Sequence, residues 1–187
     1  MTPVASKIDR AALVRRAIVE VVAESGLHGA SMAAIAQRAG VGTGTAYVHY
    51  ESKDQLLLAA YEEQKSLLDA AAVALLDLDD SPRQQFQSIW SGVYQHLAAD
   101  PVIARFLIQV DASPYAEELH QAAIANRDDQ LKKAAEALMG VFVGLPPEVL
   151  NDLALGPAVR LAASGQVLDP GRLNLLAEAC WRAVTED

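Results

Sequence analysis

The sequence predicts an all-α protein of about nine helices. Three observations lead there. Apolar residues make up 52% of the 187 positions while aromatics make up 5%, with Ala and Leu dominant, a composition suited to helices packed on helices. No stretch alternates apolar and polar residues as a half-buried strand would. Helix start signals (Ser, Asp and Pro) and stop signals (Gly) recur along the chain at helical intervals.

The elements follow in order. Residues 1–6 read as a loose arm. A first helix runs from Ile8 to Ser25, where Leu13, Val14, Ala17, Ile18, Val21 and Val22 form one apolar stripe. Arg15 and Arg16 lie off that stripe, either on a solvated face or against phosphate. Gly26 ends the helix. Ser31 is an N-cap for a short second helix carrying Met32, Ile35, Ala36 and Ala39 on one face. Gly40 ends it, Val41 and Gly42 turn the chain, and Thr43–Tyr50 makes a third helix. Ser52 and Gln55 form a capping box for a long fourth helix, Lys53–Leu78, broken by Asp79 and Asp80. Ser81, Pro82 and Gln84 start a fifth, reaching Ala98, and Asp100-Pro101 starts a sixth, reaching Asp111. Ser113-Pro114 opens a seventh, extending to Met139 with a break near Ala122. After a connector over Gly140–Pro147, an eighth covers Pro147–Ser164. Gly165 ends it, and Asp169-Pro170 starts a ninth that reaches Val184.

Several classes are disfavoured. The single Cys180 excludes a disulfide framework and a Cys-rich zinc site, and reads as a small buried residue of the last helix. No apolar run approaches the roughly 18–20 residues that span a bilayer. The N-terminus carries Lys7, Asp9 and Arg10 and lacks the apolar stretch of a signal peptide, so the expectation is a cytoplasmic protein with no membrane partner. The net charge of −9 argues at first against nucleic acid, but its distribution does not. Up to Asp54 six basic residues face five acidic ones, a net of +1, which leaves −10 for the remainder.

Helix, glycine-containing turn and helix over Ser31–Tyr50 is the plan of a helix-turn-helix, whose second helix enters the DNA major groove. Helical hairpins that bind nothing share this plan, so context decides. Ala17, Ile18, Gly26, Ser31, Ile35, Ala36, Ala39-Gly40-Val41, Gly44-Thr45, Tyr47, His49-Tyr50, Ser52-Lys53 and Leu56 stand at one characteristic spacing. On these residues the stretch from Leu13 to Leu57 resembles the DNA-binding domain of the TetR family of bacterial transcriptional regulators. The resemblance implies a helix-turn-helix domain over residues 1–52 and a helical domain over residues 53–187 that binds an effector and dimerises. It implies no cofactor and no enzymatic activity.

The resemblance assigns roles position by position. Tyr47, His49 and Lys53 match phosphate contacts, with half-buried packing between the first and third helices as the alternative for Tyr47 and His49, and Ser31 can bond phosphate besides capping. Gly42, Thr43, Gly44, Thr45 and Val48 match positions that face the groove, while Ala46 and Tyr50 match core positions. The groove face carries no Arg, Lys, Asn or Gln for bidentate base contacts. Readout is therefore expected from hydroxyls, thymine-methyl contacts and DNA shape, with Lys7 and Arg10 as helpers from the arm.

In the second domain, Leu153–Ala163 carries Arg160 as its one charge, and the ninth helix adds Leu173, Leu176, Ala177, Cys180 and Val184. These helices either fill the protomer's core or, as the resemblance implies, join a two-fold mate through Leu155, Val159, Ala162, Leu173, Leu176 and Cys180. A homodimer suits a palindromic operator on double-stranded DNA. The resemblance also implies a small, apolar effector, with Tyr61, Phe86, Trp90, Tyr94, Phe106, Gln109 and Tyr115 as candidate lining and core packing as the alternative for each. Release of a repressor by that ligand is the family's usual mode. Two rival classes remain: a helical-bundle enzyme, suggested by one Glu-x-x-His at Glu117–His120 that lacks the second copy a di-iron site needs, and a protein-interaction module without DNA binding.

Overall fold

The computed structural model describes residues 9–186. The expected arm over residues 1–6, the helix start at Ile8 and the helper role of Lys7 lie outside them. The described chain is all-α, with helices α1 (Arg10–Gly29), α2 (Met32–Arg38), α3 (Thr43–His49), α4 (Lys53–Val73), α5 (Pro82–Ala99), α6 (Pro101–Asp111), α7 (Ala116–Ala125), α8 (Asp129–Met139), α9 (Pro147–Ala154), α10 (Gly156–Ser164) and α11 (Pro170–Val184).

Two of the long expected helices are each split, which accounts for eleven in place of about nine. The expected eighth helix divides at Leu155 because Pro157 has no N–H to donate and its ring displaces the preceding turn; Gly156-Pro157 restarts the chain as α10. The expected seventh divides at Asn126–Asp128, four residues beyond the break placed near Ala122. There the Asp128 carboxylate accepts from the backbone N–H of Gln130 and Leu131 and so caps a new helix. The opening at Ser113-Pro114 is a turn, with α7 starting at Ala116. Helix α4 stops at Val73, short of Leu78, and Asp77 turns the chain by accepting from the Asp79 N–H. The Ser81–Gln84 capping box forms as expected. At α4 the Ser52 hydroxyl caps the Gln55 N–H, but the Gln55 side chain reaches one residue farther back, to Glu51.

Helix α1 is the centre of the arrangement. Its apolar stripe, with Val14, Ile18 and Val22 fully buried, packs against α6, α4, α2 and α3. Gly26 breaks it at φ +69°, a conformation that disfavours any side chain, and one further turn follows. Helix α4 runs on from the first three helices and packs on α5, α7 and α8, while α10 lies across α5 and α6. The connector after α8 is tied to the end of α11 by an isolated bridge between Phe142 and Thr185. Phe142 and Trp181 there enclose Phe86, at ring separations of 6.4 and 5.4 Å.

Candidate nucleic-acid interface

The turn between α2 and α3 is specified by backbone chemistry. Ser31 caps α2 by accepting from the Ala34 N–H. Gly40 follows at φ +67°, its N–H bonded to the Gln37 carbonyl and the Val41 N–H to that of Ala36. This is the paired closure of a Schellman motif, which needs a residue tolerant of positive φ where Gly40 stands. The closure directs α3 across α2. Helix α3 then buries Ala46 completely and, at its C-cap, nearly all of Tyr50.

Its outward side is unusually open. Gly42, Thr43, Gly44, Tyr47, Val48 and His49 are exposed, with Val48 at 81% and Tyr47 at 51%, and Thr45 is half-buried. Gly42 sits at φ −69° and Gly44 inside the helix, backbone conformations open to any residue. A methyl group on Gly44 would meet nothing within 4 Å, and one on Gly42 only the Thr45 hydroxyl at 3.9 Å. Neither glycine is required by the protein's own packing. What they leave is bare backbone on a convex face, with hydroxyls and methyls beside it: a surface shaped for close approach to another molecule. Ser31, the N-cap of α2, is also exposed.

The basic residues of the head take a different course. Arg15 donates two bonds to Glu63 of α4, at 2.9 and 3.0 Å, and one to the Tyr50 hydroxyl at 2.7 Å. The bonds to Glu63, with that to Tyr50, outweigh burial and hold the guanidinium pKa above its ordinary value. Arg16 pairs with Glu20 and with Asp100, the N-cap of α6. Arg38 bridges Glu20 and Glu24, and keeps the Glu24 carboxyl below its usual range. Lys53 donates from Nζ to the Leu27 carbonyl at 3.2 Å. Arg15 and Arg16 are thus ion-paired bridges between helices, a role the sequence could not reveal because Glu63 and Asp100 lie 48 and 84 residues away.

The remaining candidates lie in the larger part of the chain. Tyr61, Phe86, Trp90, Tyr94 and Phe106 are buried, and Trp90 stacks on Tyr94 at 5.7 Å. Gln109 and Tyr115 line a cavity of about 340 Å³, with Lys53, His28 and Gly26, where α1, α4 and the α6–α7 turn meet. A second, open groove of about 740 Å³ runs between α5 and α11 and includes none of the seven. Ala162 and Cys180 are buried within the protomer, and Leu155, Val159, Leu173 and Leu176 are partly buried. Leu175, passed over in the sequence, stands 64% exposed on α11. His120 of the Glu-x-x-His pair bonds Asp111 at 2.9 Å, and among the described residues no three His, Cys, Asp or Glu side chains converge.

Known proteins match this architecture along its length. Residues 14–60 match the model for bacterial regulatory proteins of the tetR family, and residues 82–185 match a tetracyclin repressor-like C-terminal domain. The chain belongs to the TetR family. It is 26% identical over 183 residues to an uncharacterized HTH-type transcriptional regulator of Haemophilus influenzae, covering 96% of this chain and 97% of that one. It is 30% identical over 151 residues to the HTH-type transcriptional regulator BetI of Stenotrophomonas maltophilia, covering 80% and 71%. The crystal structure of a TetR-family transcriptional regulator from Haemophilus influenzae superposes with a TM-score of 0.75 at 25% identity, covering 95% of this chain and 97% of that one. The chain is therefore a helix-turn-helix transcriptional regulator. No described helix is long and apolar enough to cross a membrane.

Proposed function

We propose that this regulator is a cytoplasmic repressor that binds a palindromic operator as a homodimer and is released by a small effector. Residues 1–52 form the reading head and residues 53–187 the effector and dimerisation domain. The observation that carries the reading is the outward face of α3, where bare backbone at Gly42 and Gly44 lies beside exposed Thr43, Tyr47, Val48 and His49. Tyr47 and His49 donate to phosphate oxygens, with Ser31 and Lys53 flanking them. Thr43, Thr45 and Val48 meet base edges, their methyls suited to thymine. Lys53 reaches phosphate by exchanging the Leu27 carbonyl for it.

The effector acts in the larger domain and must bind the operator-competent and operator-incompetent arrangements with different affinity. The buried aromatics around Trp90 and Tyr94 support an apolar ligand there. Gln64 Oε1, buried without a hydrogen-bond partner, supplies a point at which such a ligand is oriented. Dimerisation runs through α10 and α11.

Selection of bound duplexes from random DNA, with sequencing, tests the reading. The wild-type protein enriches a palindrome. His49→Ala weakens binding evenly across sequences, because a phosphate contact carries no base information. Absence of enrichment from protein shown by mass spectrometry to be free of bound small molecules overturns it.

A further inference from the structure

We propose that Arg15 is a positioning residue for operator reading: its guanidinium fixes the recognition helix to the shaft of α4 and so sets the half-site spacing that the dimer accepts. The proposal rests on the dimeric reading above. One planar group joins three helices. It projects from α1, grips the Glu63 carboxylate through Nε and Nη2, and donates from Nη1 to the hydroxyl of Tyr50, the C-cap of α3. Glu63 lies ten residues along α4 from Lys53, roughly 15 Å up the helix. The clamp therefore spans from the reading head to a point well into the second part of the chain, bypassing the short link Glu51–Ser52 that joins α3 to α4.

The chemistry suits orientation more than stability. A forked guanidinium on a carboxylate fixes direction as well as distance, which a lysine cannot do. Arg15 and Glu63 keep 21% and 36% of their side-chain surface, so solvent screens their charges in part while the forked geometry still fixes their orientation. Tyr50 is 8% exposed, and its hydroxyl is the polar end of a ring otherwise held in the core. Any rotation of α3 relative to α4 breaks either the Tyr50 bond or the Glu63 fork. The next residue, Arg16, pairs with the cap of α6 on another side of α1, so α1 is held from two directions. Helix α3 has seven residues; the Gly40 closure aims its start across α2, and the Arg15 bond to Tyr50 ties down its end.

In a two-fold dimer this aim determines spacing. One added base pair moves a half-site by about 3.4 Å and turns it by roughly 35°. Rigidly held heads cannot follow that shift, whereas loosened heads can.

The experiment measures operator affinity for the selected palindrome and for versions with one base pair inserted or deleted at the centre. Wild type, Arg15→Gln, Glu63→Gln, Tyr50→Phe and the reversed pair Arg15→Glu with Glu63→Arg are compared. Half-site sequence stays the same in all. Discrimination between native and altered spacing falls about tenfold in Arg15→Gln and by a smaller factor in Tyr50→Phe, and the reversed pair restores part of it. Tyr50→Phe removes one hydroxyl from an intact ring and so carries the test should Arg15→Gln fail to fold. Uniform loss of affinity at every spacing in these variants, with the spacing profile unchanged, marks a merely structural pair and overturns the proposal while leaving the dimeric reading intact. No palindrome with wild-type protein overturns both.

Discussion

Gly44 and Gly92 are both helical glycines, yet only one is demanded by the protein's own packing. A methyl at Gly92 would lie 2.2 Å from the Ala71 carbonyl oxygen, so glycine there permits the close approach of α5 to α4. Gly92→Ala is expected to force those helices apart and cost roughly 2 kcal/mol or more, read as a melting-temperature drop of about 5 °C or more. Gly44 meets nothing. Gly44→Ala should therefore stabilise the free protein by about 0.5–1 kcal/mol, through better helix propensity and a less flexible unfolded chain. The same methyl stands on the face proposed to approach DNA, and operator affinity should fall by about tenfold, the scale of one lost base contact. Thermal unfolding and operator titration of this one variant thus move in opposite directions. An unchanged operator affinity would place the groove contact elsewhere on α3. The glycines of the turn and recognition helix were legible in the sequence because they fall in a recognisable spacing. Gly92 was not, since nothing local distinguishes a helical glycine needed for a neighbour's backbone from one merely tolerated.

Among the elements, local signals told most. Ser31, Ser81, Asp100 and Asp169 cap the helices expected of them, because a cap is decided within three residues. The Gly156-Pro157 and Asn126–Asp128 breaks were equally local, but the apolar periodicity running through them masked the missing donor and the new cap. What no local pattern shows is what an element packs against. Helix α4 illustrates this: its inward face carries Tyr61, Leu68 and Ala72, but also Gln64 and Asp69. Burial pushes the Asp69 carboxyl above its ordinary pKa, although Arg127, Lys65 and the Asp128 backbone favour the charged form. A carboxyl whose folded pKa is raised contributes fully below its unfolded value and loses that contribution as pH rises through the folded value. At neutral pH the charged Asp69 therefore weighs against folding. Asp69→Asn should raise the melting temperature at pH 7, and the difference from wild type should shrink as the solution is acidified toward pH ~4. A gain that persists unchanged into acid would assign the effect to packing or hydrogen bonding.

At the scale of the whole molecule, charge and apolar surface together argue for how the regulator works. Arg15, Arg16 and Arg38 are occupied by protein carboxylates, so in the proposed reading α3 draws affinity from shape and from doubling rather than from a strong electrostatic footprint. Doubling needs a second copy, and the proposed dimer places it on exposed apolar surface of the last helices. Leu175 of α11 is exposed, Leu173 and Leu176 are partly so, and Leu155 and Val159 of the α9–α10 segment add to them. Ala162 and Cys180 contribute from beneath, by holding those helices on the protomer's core. Stable dimers bury roughly 1,600 Å² in all, and well-packed apolar anchors rather than area alone set their affinity. A carboxylate placed in that face would lose its water on association with nothing to pair it. Leu175→Glu combined with Val159→Glu, both at positions with solvent access, should therefore leave helical content intact while sedimentation velocity shows a monomer. Linked heads gain about 10²–10⁴ over single ones by effective concentration, so operator binding should fall by that factor while binding to an isolated half-site is unchanged. A double variant that remains dimeric would move the interface off α10 and α11. One that becomes monomeric but keeps full operator affinity would remove the need for two-fold symmetry, and with it the argument for a palindrome.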